Sequence, residues 1–502
     1  MNNNNLKHLK SGTDIRGCAV DGIANEPCEL TDEAVGKISY AFAKWLKDKT
    51  GKQALRVSVG HDSRISAQRI KAAVIGALTD SGVLVYDFGY SSTPSMFMST
   101  IEDLKCDAAV EITASHHPYQ KNGLKFFTAE GGLEGSDISE ILELAENEVR
   151  IDTADKGACT PYNFMDVYSA LLRDVICRGV NAENYDKPLE SLKIIVDAGN
   201  GVGGFYAEKV LAPLGADCTG SQFLDPDGMF PNHVPNPENQ QAIDSICAAT
   251  VAAKADLGII FDTDVDRMGC VDNFGNEINR NRLIALASVI ALENAPGGTI
   301  VTDSVTSDGL RDFIEGRLGA KQLRFKRGYK NVINKSIELC NCGIDSPLAI
   351  ETSGHAALKE NYFLDDGAYL ATKIVVKLAQ LKKENKTLND LISSLKEPAE
   401  SFEIRAKIQM EDFKEYGLSV LGALKEFADN KDGWEVVKEN YEGVRINFHG
   451  GWLLLRLSVH DPILPLNVEC DHAGGSLAEI REVYKFLSSF EHLELDGFRK
   501  YL

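Results

Sequence analysis

The sequence predicts an α/β protein of three or four domains, and three observations carry that reading. The chain is 502 residues long, well beyond the size at which a single hydrophobic core keeps growing. Helix-period and strand-like segments alternate from residue 31 onward, the pattern of sheets covered by helices. Apolar runs end in loops rich in hydroxyl, carboxylate and imidazole groups, and ligands bind at the carboxyl ends of strands in open α/β sheets.

The elements follow in order. TDEAVGKISYAFAKWL (31–46) has helix-period apolar residues behind a Thr31 cap, and LRVSVGHD (55–62) is a short β-rich run. IKAAVIGALTDSG (70–82) is helical and stops at Gly82, and VLVYDFG (83–89) is a strand. DAAVEITAS (107–115) is a third strand that delivers Ser115 at its carboxyl end. A second unit opens with LKIIVDAGNGVGG (192–204) and includes ADLGIIFDTD (255–264). A third begins near Asn279, with helix 282–295, strand 298–303 and helix 367–383. KKENKTLND (382–390) reads as a linker or as a solvated helix end. The remainder pairs a helix at 411–428 with hairpin-like strands at 435–470 and a closing helix.

Composition excludes several classes. The net charge of −21 argues against nucleic acid, which needs a basic surface. An anionic ligand must therefore meet a local cluster of Arg, Lys and His within an acidic body. Eleven cysteines, scattered and without a C-x-x-C pair, predict reduced thiols rather than a disulfide frame or zinc site. MNNNNLKHLK lacks an apolar signal region, and no apolar stretch approaches the ~20 residues that cross a bilayer. A cytoplasmic protein with no membrane partner is expected.

Two strings carry the chemistry. TASHHP (113–118) places the Ser115 hydroxyl beside two imidazoles in a turn closed by Pro118. DTDVDRMG (262–269) places Asp262, Asp264 and Asp266 at alternate positions, on one side of an extended segment. Three carboxylates repel one another unless a divalent cation relieves them, and hard oxygen donors suit Mg²⁺. An EF-hand fails in detail, with Arg267 where glycine is needed and Asn273 where a bidentate Glu is needed. A hydrolase triad is disfavoured because nucleophile and base are seldom adjacent and G-x-S-x-G is absent. His116 and His117 make poor zinc ligands if strand neighbours point opposite ways. A serine that can carry phosphate beside a magnesium site suggests phosphoryl transfer through phosphoserine.

The other strings are weaker. GNGVGG (199–204) satisfies G-x-G-x-x-G after a strand, but no acidic residue ends a second strand at the expected distance. A nucleotide-dependent oxidoreductase stays only as an outsider. Lys121 and Lys125 lie close enough to add charge to the serine loop. ETSGH (351–355) offers the mixture that sugar hydroxyls require, and RLSVHDP (456–462) offers Arg456, Ser458 and His460 to a phosphate.

In chain order, SGTDIRG (11–17), GHDSR (60–64), TASHHP, PDGMFPNHVPNPE (226–238), DTDVDR and ETSGH resemble the α-D-phosphohexomutase superfamily, in its phosphomannomutase/phosphoglucomutase branch. The resemblance implies three related α/β domains and a carboxyl-terminal α+β domain around a central cleft, here at 1–155, 156–278, 279–392 and 393–502. It implies interconversion of hexose 1- and 6-phosphates through a bisphosphate, with phosphosugars as partners and hexose 1,6-bisphosphate as activator. Ser115 would be the phosphoryl carrier, and one Mg²⁺ would be held by Asp262, Asp264, Asp266 and a phosphoserine oxygen. Arg16, His116, Lys125, Lys330 and His355 would supply positive charge and proton transfer. Arg267 would contact substrate, Glu351 and Ser353 would bind the sugar's O3 and O4, and Arg456, Ser458 and His460 would hold its phosphate. The phosphate loop departs from the family's R-P-S-G-T-E-P at Val459 and His460, and a β-branched valine resists the dihedrals glycine allows. A phosphoglucosamine mutase is the runner-up, although such enzymes usually carry glutamine where Thr352 stands. A phosphoserine-dependent sugar phosphatase and a non-catalytic sugar-phosphate binder are the alternatives of other classes.

Overall fold

In the computed structural model, which describes residues 5–458 and 461–502, Thr31 opens the first long helix as expected. Its hydroxyl oxygen accepts from the Ala34 N–H at 3.2 Å, and the helix runs Asp32–Thr50. The apolar stripe of that helix (Val35, Ile38 and Phe42) is buried with Ile70 and Val74 of the helix Ala67–Asp80 and with Ile138 and Ile141 of the helix Gly135–Glu146. Beneath them lies a mixed sheet with the strand order Lys10–Ser11, Asp14–Cys18, Lys121–Thr128, Ala108–Ile112, Arg56–His61, Leu84–Tyr90, Cys159–Pro161. Arg56–His61 is parallel to both Leu84–Tyr90 and Ala108–Ile112. Parallel strands are covered on both faces, hence the apolar runs there. Ala108–Ile112 then turns back antiparallel into Lys121–Thr128, with Glu111 opposite Lys125. TASHHP lies within that turn.

The second sheet repeats the plan. Ile194–Asp197 is parallel to Leu257–Phe261, which turns back antiparallel into Met268–Asp272. The acidic loop 262–267 is that connection. In both sheets, the chemistry-bearing loop joins a parallel strand to an antiparallel neighbour. A third parallel set, Lys321–Phe325, Thr299–Asp303 and Leu348–Ile350, leads into ETSGH.

The glycines of GNGVGG serve backbone contact rather than a dinucleotide. A Cβ on Gly201 would lie 2.6 Å from the Thr263 carbonyl oxygen, and one on Gly204 2.4 Å from that of Leu224. The helix Gly367–Lys383, read from sequence into the third unit, packs on Leu257–Phe261, Met268–Asp272 and the helix Phe164–Val180. The Gly367 N–H donates to the Val265 carbonyl at 3.1 Å, touching the acidic loop directly. The stretch 382–390 is not a free linker. Lys382 binds Asp256 at 2.7 Å, Asn389 binds Asp272 at 2.6 Å, and a short helix, Leu388–Ile392, begins within it.

The chain divides into two compact units, Met1–Asn279 with Ser353–Asp390, and Arg280–Thr352 with Leu391–Leu502. The second unit contains the three-stranded parallel set and an antiparallel sheet, whose longest pairing joins Glu400–Ile408 to Ile463–Cys470. Glu400–Ile408 was not expected from sequence, although its alternating burial is the period-2 pattern of a half-covered strand. The helices Phe413–Asp429 and Leu477–Leu487 supply Val420, Leu424, Ile480 and Val483 to the core of that sheet. Among the described residues no helix is long and apolar enough to cross a membrane. All eleven cysteines are free.

Two glycines of the first unit should behave oppositely. Gly201→Ala forces a Cβ against the backbone of the acidic loop and should destabilise by about 1–3 kcal/mol, the usual cost of overpacking. Gly76→Ala, on an exposed turn of the helix Ala67–Asp80 with open space around it, should stabilise by roughly 0.5–1 kcal/mol. Thermal unfolding of both variants against the unsubstituted chain checks the pair.

Candidate active site

The turn after Ala108–Ile112 holds Ser115 in the left-handed region at φ 51°, where few residues other than glycine settle. The side chain is buried, and its hydroxyl donates to Asp262 Oδ2 at 3.0 Å. Arg267 Nη2 donates to Ser115 Oγ at 2.9 Å, and His116 Nδ1 lies 3.3 Å from the same oxygen. The turn also corrects the expectation for the paired histidines. Their rings lie side by side with centroids 5.2 Å apart rather than on opposite faces, because 115–117 is a turn and not a strand.

The acidic loop gathers its carboxylates by turning rather than by strand alternation. Val265 takes φ 67°, a strained setting for a β-branched residue, and the loop is held from three sides. Thr93 donates from its N–H to the Asp264 carbonyl at 2.9 Å and from its hydroxyl to Asp264 Oδ2 at 2.6 Å. Gly201 fits beneath Thr263, and Gly367 caps Val265. Asp262, Asp264 and Asp266 are buried, with oxygens within 4.8 Å of one another.

Three cations answer them. Lys125 Nζ donates to Asp264 Oδ2 at 3.0 Å and to Asp266 Oδ2 at 2.5 Å. Arg267 binds Asp262 Oδ2 through Nη2 at 2.8 Å and Nε at 3.1 Å. His355 Nδ1 stands 2.5 Å from Asp365 Oδ2 and 4.0 Å from Asp266 Oδ1. Lys121 is not part of this group, since its ammonium pairs with Glu26 at 3.2 Å.

The protonation states follow. Burial and the neighbouring Asp266 push the Asp262 carboxyl well above the usual range. Burial also acts against ionisation of Asp266, but Lys125, His355 and Arg267 outweigh it and hold that carboxyl below the usual range. Burial opposes charge on His355, yet Asp365 and Asp266 raise its pKa to about 9, so the ring is an imidazolium at neutral pH. His116 goes the other way. Burial, then the charge of Arg267, holds it far below the usual imidazole value, and its Nδ1 accepts from Arg267 Nη2 at 2.7 Å. Arg16, which pairs with Asp14 at 2.8 Å, adds to that depression.

The acidic loop fits a hard divalent cation. Asp264 Oδ1 and Asp266 Oδ1 are buried and have no hydrogen-bond partner among the described residues. Such orphaned oxygens cost free energy unless something binds them. Asp266, His355 and Asp365 also lie close enough to share a metal, in a second grouping that shares Asp266 with the first.

The remaining expected residues divide between the units. Ser353 belongs to the first, with a buried hydroxyl that has no partner among the described residues. Lys330, Glu351, Arg456 and Ser458 belong to the second. Lys330 lies in the first turn of the helix Tyr329–Asn341, and Glu351 Oε1 accepts from the Gly328 N–H at 2.6 Å, at the start of that helix. Arg456 is buried, and burial, then Arg327, lowers its pKa against the pull of Glu442 and Glu403. The Ser458 hydroxyl accepts from the Asp461 N–H at 3.2 Å. His460, with Val459, lies outside the described residues.

Three models of phosphoglucomutase/phosphomannomutase domains match the chain in order, α/β/α domain I over 13–151, domain II over 174–275 and domain III over 279–398. A phosphomannomutase/phosphoglucomutase of Pseudomonas syringae pv. tomato is 31% identical over 94% of this chain and 93% of its own length. The chain belongs to the phosphoglucomutase/phosphomannomutase family. A phosphoglucomutase/phosphomannomutase of Thermococcus kodakarensis is 31% identical over 89% of this chain and 92% of its own. The crystal structure of a Burkholderia thailandensis family member superposes with a TM-score of 0.77 at 26% identity, covering 96% of this chain and 97% of that one.

Within this family fold, sequence reasoning missed two supports of the site. Thr93 sits in TPSMF, with nothing but its place after a strand to mark it, whereas Asp365 sits in LDDG at the start of a helix, a visible carboxylate signal. Asp365→Asn should lower the His355 titration midpoint from about 9 by about 1–3 pH units, the worth of one close opposite charge. An NMR pH titration of the His355 ring checks this.

Proposed function

We propose that the chain is a phosphohexomutase that interconverts the 1- and 6-phosphates of mannose, glucose or both through phosphorylated Ser115. The observation that carries the reading is the buried Ser115 hydroxyl, held in a left-handed turn between Asp262, Arg267 and His116. The segments 1–155, 156–278, 279–392 and 393–502 would be its four domains, and the cytoplasm its location.

In the first half-reaction a substrate hydroxyl attacks the phosphorus on Ser115, the P–Oγ bond breaks, and a hexose bisphosphate forms. In the second, Ser115 Oγ attacks the other phosphate, and the bond from that phosphorus to the sugar oxygen breaks. The proton that leaves Ser115, whose hydroxyl donates to Asp262 Oδ2 at 3.0 Å, ends on the departing sugar oxygen as its hydroxyl. Arg267, Lys125, His355 and Arg16 supply positive charge, and His116, kept neutral, is a hydrogen-bond acceptor rather than a cation. Lys125 and His355 stand beside the carboxylates for proton transfer. Asp262, Asp264 and Asp266, with a phosphoserine oxygen, would hold Mg²⁺, which neutralises charge on the transferring phosphoryl group. Glu351 and Ser353 would bind the sugar's O3 and O4, which look alike in both orientations. Lys330, Arg456, Ser458 and His460 would hold the phosphate not in transfer. Hexose 1,6-bisphosphate would prime Ser115.

A phosphatase would release inorganic phosphate, whereas a mutase conserves it as isomer. Glucose, mannose and glucosamine 1-phosphates, each with a trace of its 1,6-bisphosphate, should therefore separate the readings. The expected result is 6-phosphate of glucose or mannose without inorganic phosphate. Ser115→Ala should abolish that conversion, and intact-mass measurement should find one phosphate on the unsubstituted chain. A charge-assisted contact contributes roughly 1.5–3 kcal/mol, or about 10–150-fold in affinity. Arg456→Ala should thus raise KM for both sugars alike, since a phosphate grip does not read C2. Steady-state kinetics on both substrates measures it.

A further inference from the structure

Arg64 belongs to none of the roles above, yet its side chain is only 2% exposed and is directed at the serine loop. Nη2 donates to the Ser115 carbonyl at 2.5 Å and to that of His117 at 2.6 Å. Nη1 donates to the carbonyls of Pro118 and Lys121, each at 2.8 Å. Four backbone acceptors from one seven-residue stretch converge on a single guanidinium, whose planar fork holds them at fixed spacing.

The other edge of the same group faces, as an ion pair without a hydrogen bond, the carboxylate that leads to the serine's own N–H. Arg64 Nε lies 3.2 Å from Asp62 Oδ2, which accepts from the Thr113 hydroxyl at 2.7 Å. Thr113 Oγ1 in turn accepts from the Ser115 N–H at 2.8 Å. Both backbone polar groups of Ser115 are thus fixed, the carbonyl directly and the N–H through Thr113 and Asp62. The loop 226–238 closes the far side, with the Phe230 ring 5.4 Å from the guanidinium carbon. Gly228 allows that approach, since a Cβ there would lie 2.4 Å from the Ser63 carbonyl.

We infer that Arg64 is a positioning residue for phosphoryl transfer, holding Ser115 in the left-handed conformation that aims Oγ at Asp262 and Arg267. The inference rests on the reading of Ser115 as phosphoryl carrier. A lysine at this position keeps the charge but offers one point of attachment in place of a fork. A nucleophile displaced by about 1 Å loses on the order of 10²-fold in rate.

The test compares Arg64→Lys, Thr113→Val and Ser115→Ala, reading kcat and KM for glucose 1-phosphate, the rate at which glucose 1,6-bisphosphate phosphorylates the chain by intact mass, and Tm. Arg64→Lys and Thr113→Val should each lower kcat by about 10²-fold, slow phosphorylation in step, and leave KM near that of the unsubstituted chain. Arg64→Gln takes the place of Arg64→Lys if the latter does not fold. Unchanged kcat in the folded variants, or losses that merely track the folded fraction, overturns the assignment. If Ser115→Ala is inactive while both other variants turn over normally, only the positioning role fails. If Ser115→Ala remains active, the phosphoserine reading falls and this role with it.

Discussion

Three carboxylates buried within 4.8 Å of one another are the constraint around which the first unit is arranged. Taking such groups out of water costs several kcal/mol each unless charge and hydrogen bonds compensate. The fold supplies that compensation from distant parts of the chain. Lys125 comes from the first sheet, Arg267 from the loop itself, and His355 from the segment before the helix Gly367–Lys383. The same requirement accounts for Thr93 on Asp264 and Asp365 on His355. Among the described residues two of these oxygens have no hydrogen-bond partner, Asp264 Oδ1 and Asp266 Oδ1, and these are the ones a bound cation would satisfy.

Backbone strain is present at the same place. Ser115, Val265 and Phe230 all have positive φ, each at a cost of order 1–3 kcal/mol. Such conformations persist only where the surroundings over-determine them, and each here is held by identifiable contacts. Ser115 is fixed at its N–H and carbonyl, and the Val265 carbonyl accepts from Gly367. Phe230 lies over the guanidinium of Arg64. If Ser115 is the phosphoryl carrier proposed above, a nucleophile set this way need not search for its orientation when substrate arrives, which is where preorganisation contributes to rate.

Much of this was legible in the sequence, and the misses have physical causes. The helix Asp32–Thr50, the strands that lead into Ser115 and into the acidic loop, and the grouping of Asp262, Asp264 and Asp266 follow from periodicity, capping and spacing. The reason offered for that grouping was wrong. Strand alternation does not apply at 262–267, where tertiary contacts impose a turn. GNGVGG looked like a ligand loop because glycine patterns do not say whether the close neighbour is phosphate or backbone, and here it is the Thr263 backbone. The partnership of Arg64 with the serine loop spans about fifty residues, a separation no local pattern reports. Its only trace was GHDSR at a strand end. The place of the helix Gly367–Lys383 was hidden for a similar reason, since amphipathic period gives a buried face but not the sheet that covers it.

On the proposed reading, the division of the chain into two units also separates two kinds of work. Ser115, its carboxylates and its cations all belong to the first unit, where each has a partner fixed by the fold. Arg456 belongs to the second unit, where Arg327, Glu442 and Glu403 share its electrostatic environment. A phosphate held by long cationic side chains is recognised by charge, and charge recognition tolerates changes in loop geometry better than in-line transfer does. On the proposed reading, that difference would explain how RLSVHDP can depart from the family's glycine-threonine pattern while TASHHP and DTDVDR stay close to it. On that reading, drift in the loop would change how tightly a sugar phosphate is held and leave the transferring atoms where they were, whereas drift around Ser115 would displace the nucleophile.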